Sequence, residues 1–475
     1  MRADRGMTLR VLAVALGVGL LAAPTAFARK AKKHVGPVVD PPAQLIGESL
    51  TSSVAWERLV YLCDAIGHRL SGTPQLERAV TWATEQMRQD GLKAWTEPVE
   101  VPVWVRGTES LTLLAPKVQE LDLLALGGSV GTPAGGIEAD VVVVGDKEEF
   151  EGLAEDAVRG KIVLWDVPFT SYGQTVQYRA RGASLAAGKG AVASLVRSVT
   201  PSSLDTPHTG NQRYADGVEA IPAAAVTIET AAAMHRMQDR GMTPRVKLVL
   251  DGTGMNGTAM SANVLADVPG RETPEEIVVV GCHLDSWDVG QGAQDDAGGC
   301  VAAMEVGRLI RRLPQAPRRT VRVVLYTNEE NGLGGGRAYA EAHADEVHVA
   351  AMESDTGQGA SAGFRVDVRR MAENAGRYAE QDPALYETMM ARLAGVKALL
   401  APLEADGFRQ AYAGADIGPL VATGVPGFGV DHDTTGYWPI HHTEADTIDK
   451  IDPTVFKRNI ASMAVMTWWL AEHGL

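Results

Sequence analysis

The chain has 475 residues, of which 45% are hydrophobic and 22% charged, and its formal net charge is −15 at pH 7. That length exceeds one ordinary domain, and the composition describes a soluble globular protein with a substantial core. The acidic balance excludes a protein that tracks nucleic-acid phosphates, which needs a basic face.

Residues 1–28 read as a secretory signal peptide. Arg2, Arg5 and Arg10 make the basic start, Val11 to Ala23 the apolar core, and Ala26-Phe27-Ala28 a small-x-small cleavage site. The apolar run is too short to cross a bilayer core of about 30 Å as a helix, so no membrane anchor is expected. The protein is expected to be secreted or periplasmic after cleavage near Ala28. Residues 29–42 follow as a basic, proline-containing lead-in tail. The three cysteines, Cys63, Cys282 and Cys300, are few and odd in number, which argues against a fold built on disulfides. Cys282 adjoins His283. Strand neighbours point to opposite faces, so a His283 that faces a site puts Cys282 in the core.

A first catalytic part is expected over residues 43–119. Apolar residues recur at helical spacing from Leu45 to Ile66, and a second helix runs from Pro74 to Gln89, with Pro74 suited to its first turn and Gly91 to its stop. Val99 to Val105 alternates as a strand. Residues 120–252 read as a separate, non-catalytic α/β insert. Its strands are Val141–Val144, Lys161–Trp165, the run over 191–196, Ile221–Ile228 and Val246–Leu250, with helical patterns near 180–190 and over Glu229–Gln238. At its entrance Gly127-Gly128-Ser129-Val130-Gly131 matches a nucleophile elbow, but Thr132-Pro133-Ala134-Gly135-Gly136 follows where the elbow needs a helix. A Gly-rich turn is the plainer reading, and a serine hydrolase built on Ser129 stays as an alternative.

Residues 253–475 form the second catalytic part, where the pattern is strand, polar site residue, helix, repeated. The apolar run Ile277–Val280 leads to His283, Asp285 and the pair Asp295-Asp296. Ala297–Arg312 is a helix rich in small residues. Thr320–Tyr326 leads to Asn328-Glu329-Glu330, Val347–Met352 to Glu353-Ser354-Asp355, and Val425–Val430 to a loop carrying His441-His442-Thr443. A fully buried parallel strand shows as a short apolar run, and open α/β sheets place ligands beyond the carboxyl ends of their strands. The fold class is therefore α/β: a mixed, mostly parallel sheet flanked by helices, with a smaller inserted α/β domain.

His283, Asp295, Glu330, Asp355 and His442 supply the inventory of a two-metal hydrolytic site, in which the ions lie about 3.5–4 Å apart. Two imidazoles and three carboxylates suit two zinc ions, with manganese or cobalt as alternatives. Glu329, beside a ligand, is placed as the general base that takes a proton from the metal-activated water and returns it to the leaving amine. Asp285 is placed to orient the site from behind the ligands. Taken singly, an H-x-D, an E-E pair or an H-H pair reads as ordinary loop or surface. Their joint occurrence at the ends of separate strands is what points to a site.

Several stretches carry a resemblance to a known family. They are His283-Leu-Asp-Ser-Trp-Asp-Val-Gly-Gln-Gly-Ala-Gln-Asp-Asp-Ala-Gly-Gly299, Asn328-Glu-Glu-Asn-Gly-Leu-Gly-Gly-Gly336, Ser354-Asp-Thr-Gly357 and His442-Thr-Glu-Ala-Asp-Thr447. Ile66–Thr73 and Leu126–Thr132 add to them. The chain resembles the secreted co-catalytic zinc exopeptidases, in the plasma glutamate carboxypeptidase (carboxypeptidase Q) branch. The insert, with residues 158–164 and 221–226, is similar to a protease-associated domain. The resemblance implies that Asp295 bridges two ions, that His283 and Asp355 complete one and Glu330 and His442 the other, and that the Asp295–Asp296 peptide is cis. In many members a tyrosine precedes the last ligand and contacts the scissile carbonyl. Here His441 stands in that place and is taken as the carbonyl-side donor.

The leading expectation is a secreted exopeptidase for dipeptides or short peptides, either aminopeptidase or carboxypeptidase in action. A metallo-amidohydrolase of acyl-amino acids and a non-catalytic, receptor-like binding protein are the alternatives. No cationic clamp for a substrate carboxylate stands out in the sequence. Tyr412 and Asp416 are candidate wall residues for the substrate, and relatives in this branch suggest a homodimer. No nucleic-acid partner is expected.

Overall fold

The computed structural model describes residues 40–202, 204–371 and 378–475. The expected signal peptide and most of the lead-in tail lie outside them. The strands in chain order are β1 (Lys93–Val105), β2 (Thr108–Ala115), β3 (Gln119–Leu121), β4 (Leu123–Ala125), β5 (Ile137–Val144), β6 (Ile162–Trp165), β7 (Ala193–Arg197), β8 (Ala223–Val226) and β9 (Arg245–Asp251). They continue as β10 (Gly254–Val268), β11 (Thr273–His283), β12 (Arg319–Tyr326), β13 (Val347–Glu353), β14 (Ser361–Asp367), β15 (Arg369–Met371), β16 (Tyr378–Gln381), β17 (Gly407–Gln410) and β18 (Gly427–His432).

Among the described residues, one eight-stranded sheet has the order β1-β10-β12-β11-β13-β18-β14-β17. Its centre is parallel: β12 pairs with β11, β11 with β13 and β13 with β18 in one direction, so their carboxyl ends meet at one edge. The alternation of β11 shows why the centre is so apolar. Val278, Val280 and Cys282 enter one core and Ile277 and Val279 another, so both faces are covered. The first face packs on the helices Pro74–Gln89, Gly298–Arg311 and Pro453–His473. The helix Pro74–Gln89 begins where Thr73 accepts the Leu76 N–H, and it buries Leu76, Ala79, Val80, Ala83 and Met87.

Three expectations need adjusting. The helical run from Leu45 to Ile66 is broken into Pro41–Thr51, Val54–Val60 and a wider turn over Tyr61–Ile66; Ser52 Oγ accepts the Val54 N–H at 3.2 Å and interrupts the first helix. The strand expected from Val99 begins at Lys93 and tolerates Pro98 and Pro102, because β1 lies at the sheet edge and leaves one side unpaired. Cys282 does face the core, and there it forms a disulfide with Cys300, on the helix Gly298–Arg311. Cys63 is buried and free.

The second sheet has the order β3-β2-β9-β5-β6-β7-β8-β4, with β5 to β8 parallel. It starts at Thr108, not at residue 120, because β2 pairs along β9 from Thr108↔Asp251 to Ala115↔Arg245. Residues 40–475 nevertheless make one compact unit. The two sheets share a core in which Leu70, Trp104 and Trp287 pack with side chains of the second sheet. Gly127 allows the contact, since a Cβ there would lie 2.1 Å from the Trp287 ring. Arg106, between β1 and β2, bonds both oxygens of Asp288 at 2.8 Å and the Ala125 carbonyl at 2.8 Å.

Candidate active site

The parallel centre of the first sheet explains the position of each site residue. His283 ends β11, the Glu329-Glu330 pair follows β12, Asp355 follows β13, and His441 and His442 lie in the loop beyond β18. Asp295 sits in the turn that opens the helix Gly298–Arg311. That turn approaches β13 closely, and a Cβ on Gly299 would lie 2.1 Å from the Ser354 carbonyl oxygen. The Asp295–Asp296 peptide is cis, and His442 and Asn328 have φ of 62° and 65°. Non-glycine residues held in the left-handed region concentrate at functional sites.

His283 Nε2 lies 3.2 Å from Asp295 Oδ1 and 3.1 Å from Asp355 Oδ1. His442 Nε2 lies 3.2 Å from Asp295 Oδ2 and 3.0 Å from Glu330 Oε2. Two imidazole–carboxylate clusters therefore share Asp295, each oxygen turned to a different histidine. The far nitrogen of each ring faces a carbonyl oxygen: His283 Nδ1 that of Asp285 at 2.9 Å, His442 Nδ1 that of Thr209 at 3.3 Å. A carbonyl can only accept, so each Nδ1 carries a proton, and each Nε2 is the ring atom that would offer its lone pair to a cation bound among the carboxylate oxygens. Glu330 Oε1 is buried without a hydrogen-bond partner among the described residues. Lone pairs converging from both sides fit a cation between them, and N/O donors of this kind suit zinc. Asp296 also lies within ligand distance of His283 and Asp355, and its Oδ1 accepts the Gly299 N–H at 3.0 Å.

The charges respond to this crowding. Burial alone would lower His283, but the carboxylates of Asp355 and Asp295 raise it well above the usual imidazole range. Burial would raise Asp295, but His283 and His442 hold it well below the carboxylate range. Burial, with Asp355, Glu330 and Asp285 nearby, pushes Glu329 well above its ordinary value.

The supporting shell is specific. Asp285 Oδ1 accepts the Glu329 N–H at 3.0 Å and Oδ2 the Glu330 N–H at 3.3 Å, so it fixes the loop that carries both glutamates. Asp446, which sequence reading left without a role, accepts the N–H groups of Gln294 at 2.7 Å and Asp295 at 3.1 Å. Arg69, fully buried, donates to the carbonyls of Leu284, Gln291 and Gly292 on either side of the Asp288 loop. Both stand in stretches that carry the resemblance, but each acts on backbone, which leaves no pattern of its own in a sequence.

A cavity of about 600 Å³ opens over this cluster, lined by Asp295, Glu329, Glu330, Asp355, His441 and His442. His441 stacks on His442 with ring centroids 3.6 Å apart, and its Nε2 lies 3.5 Å from Asp295 Oδ2. Burial and the neighbouring His442 hold His441 well below the usual imidazole range, so it is neutral. Tyr437 lines the same cavity, at a ring distance of 5.0 Å from His441. Tyr412 lines it too, 41% exposed. Asp416 does not. It is 1% exposed, and both its carboxylate oxygens are buried without a hydrogen-bond partner among the described residues, so its expected place on the substrate wall is corrected. Burial and nearby Glu353 push its carboxyl well above the ordinary range.

The second sheet also reaches the cavity. Tyr172, Arg179 and Arg213 line it, and the Thr209 backbone bonds His442 through its N–H as well, at 3.0 Å. The second sheet and its helices thus carry none of the five expected ligands but wall the site. Arg179, Arg213 and Arg365 are cations that the sequence did not single out, because only the fold brings them together. Ser129 is fully buried in its turn; its hydroxyl donates to the Val130 carbonyl and accepts the Ala223 N–H, each at 2.8 Å, and it has no place in the cavity.

Comparison with known proteins gives a consistent answer. Residues 263–467 match the model of peptidase family M28. The chain is 39% identical over 421 residues to human carboxypeptidase Q, covering 88% of this chain and 85% of that one. It is 38% identical to the Xenopus laevis carboxypeptidase Q, covering 88% and 86%. A crystal structure of a peptidase M28 precursor from Shewanella amazonensis superposes with a TM-score of 0.83 at 36% identity, over 91% of this chain and 96% of that one. A zinc aminopeptidase from Bacillus subtilis shares the fold, with a TM-score of 0.63 at 18% identity over 88% and 94%.

Proposed function

The chain belongs to peptidase family M28 and is a metallo-exopeptidase, and from that premise we propose that it hydrolyses dipeptides or short peptides at a two-zinc site with Glu329 as general base. The observation that carries this reading is the pair of histidine–carboxylate clusters sharing Asp295 on the floor of one cavity, with Glu329 in its lining. His283 and Asp355 would hold one ion and Glu330 and His442 the other, with Asp295 between them.

When bound, the two ions polarise the scissile carbonyl and make a water molecule acidic enough to attack at neutral pH. The chain's own residues do the rest. Glu329 takes a proton from the attacking water and delivers it to the leaving amine. Burial and the neighbouring carboxylates raise its proton affinity well above that of an ordinary carboxylate, which suits a group that must take up a proton and hand it on. Asp285 keeps that carboxyl in place through the backbone bonds to Glu329 and Glu330. His441, neutral and at the cavity wall, is available to donate to the carbonyl oxygen as negative charge develops there.

Export is part of the same proposal. The buried Cys282–Cys300 disulfide suits an oxidising compartment, and no helix among the described residues is long and apolar enough to cross a membrane. The test is hydrolysis of a dipeptide panel before and after chelation, followed by zinc add-back. Activity lost with chelator and restored by zinc is expected; activity indifferent to chelator would sink the two-metal reading.

A further inference from the structure

The two histidines of the site are held in different ways. His283 Nδ1 faces the Asp285 carbonyl oxygen at 2.9 Å, two residues further along its own chain segment, so its hold is local. His442 is held from the other sheet. The Thr209 N–H donates to the His442 carbonyl at 3.0 Å, and His442 Nδ1 faces the Thr209 carbonyl oxygen at 3.3 Å. Thr209 lies in the loop between β7 and β8. One residue therefore grips both the backbone and the ring of the other. His442 has φ 62°, a left-handed conformation that a non-glycine residue keeps only where its surroundings impose it.

Thr209 is itself fixed on every side, and it is fully buried. Its hydroxyl donates to the Ala125 carbonyl at 2.8 Å and accepts from Arg106 Nη2 at 3.3 Å. The His208 N–H before it donates to Ser198 Oγ at 2.9 Å, and the Gly210 carbonyl after it accepts the Gly127 N–H at 3.1 Å. A carbonyl oxygen has two lone pairs, and that of Thr209 also accepts Arg179 Nη1 at 3.2 Å. Arg179 reaches it because Gly210, at φ 138°, has no side chain; a Cβ there would lie 2.3 Å from Arg179 Cζ. The Tyr172 hydroxyl accepts the other end of the guanidinium at 2.9 Å.

We propose that Thr209 and Arg179 are positioning residues for one metal ion only: the layer of the second sheet sets the affinity of the ion that His442 and Glu330 would hold, while the ion of His283 and Asp355 depends on the first sheet alone. The inference rests on the two-zinc reading and divides its two sites by what supports them. A His442 released from Thr209 can turn its ring or return its backbone to negative φ. Either change carries Nε2 away from Glu330 Oε2, which lies 3.0 Å off in the gripped position. His283, gripped by the Asp285 carbonyl, keeps its place. The partner on the far nitrogen of a ligating histidine is worth about 10- to 100-fold in metal affinity.

The test is stepwise zinc binding, by competition with a chromophoric chelator, to metal-free wild type, T209V, T209S and R179Q. Valine keeps the shape of threonine without the hydroxyl bonds to Ala125 and Arg106, and serine keeps those bonds. T209V and R179Q are expected to bind one ion as wild type does and the other about 10- to 100-fold more weakly, whereas T209S binds both as wild type does. A general loosening of the fold would weaken both steps alike, so the gap between the steps is the deciding readout, and R179Q supplies it if T209V does not fold. The combined variant T209V/E330Q should still hold one ion tightly, because both changes act on the same ion. Two wild-type affinities in either single variant, both steps weakened alike, T209S as weak as T209V, or loss of both ions in the combined variant would each overturn the proposal. A wild type that binds fewer than two ions would instead overturn the two-zinc reading.

Discussion

Asp285 illustrates how much of the site is backbone control. Its two oxygens accept the N–H groups of Glu329 and Glu330, while its own carbonyl accepts the proton of His283 Nδ1. Asp285→Asn keeps the volume but turns an amide donor toward one of those N–H groups. Activity should fall about 10- to 100-fold, the usual effect of losing an outer partner, while the fold persists. Dipeptide kcat with zinc titration on the same sample checks this. His432 makes a different point. It is buried, with Nδ1 2.9 Å from the Gly359 carbonyl, and burial lowers it from 6.5 to about 4. A depressed histidine contributes stability above its unfolded value and loses it as pH falls. Between pH 6.5 and 4 the unfolded chain binds the extra proton, so acidification should remove about 3 kcal/mol through this one group. Urea unfolding at pH 7.5 and 4.5 should show that loss in wild type, and a smaller one in His432→Gln. An equal loss in both would dismiss the assignment.

At the scale of elements, parallel β11, β12, β13 and β18 do the organising. They were legible because strands covered on both faces must be continuously apolar, and the run Ile277–Val280 and its counterparts read that way. The abrupt polar residues after each run marked the ligands for the same reason; inside the runs a polar side chain is held only where it is paired, as Arg322 on β12 is by Asp267 and Glu346. Cys282–Cys300 was not legible. Strand alternation put Cys282 in the core, but only the packing of the helix Gly298–Arg311 against β11 brings Cys300 to it. The bond closes a loop of 18 residues that contains Asp295. The paired Cys282→Ala, Cys300→Ala variant should be destabilised by about 3 kcal/mol on the chain-entropy account. Calorimetry against wild type measures it, and an unchanged Tm would show that packing alone holds the helix. Edge strand β1 was read from Val99 only; it starts at Lys93, and its place at the sheet edge makes Pro98 and Pro102 harmless.

At the scale of the molecule, two sheets share one site. The strands of the second sheet were visible as a change of pattern, yet its first strand, from Thr108, was not, because β2 gains its identity by pairing with β9, distant in sequence. Its role as a cavity wall was equally hidden, since Tyr172, Arg179 and Arg213 follow no ligand spacing. Arg106 ties the layers at the crossing from β1 to β2 through Asp288, Glu109 and the Ala125 carbonyl. Arg106→Ala would strand two half-buried carboxylates, a loss of about 3–5 kcal/mol by the precedent of broken buried pairs. A Tm close to wild type would show that the sheets do not depend on this tie.

The measurement that bears most directly on the account is zinc content and dipeptide kcat of Glu329→Gln beside wild type. Glutamine keeps the shape of the base but cannot take the proton, and it is not among the expected ligands. The account predicts two zinc ions per chain in both proteins and a kcat about 10²- to 10⁴-fold lower in the variant, the range of general-base catalysis. A variant within tenfold of wild type, or one that has lost its zinc, would contradict it.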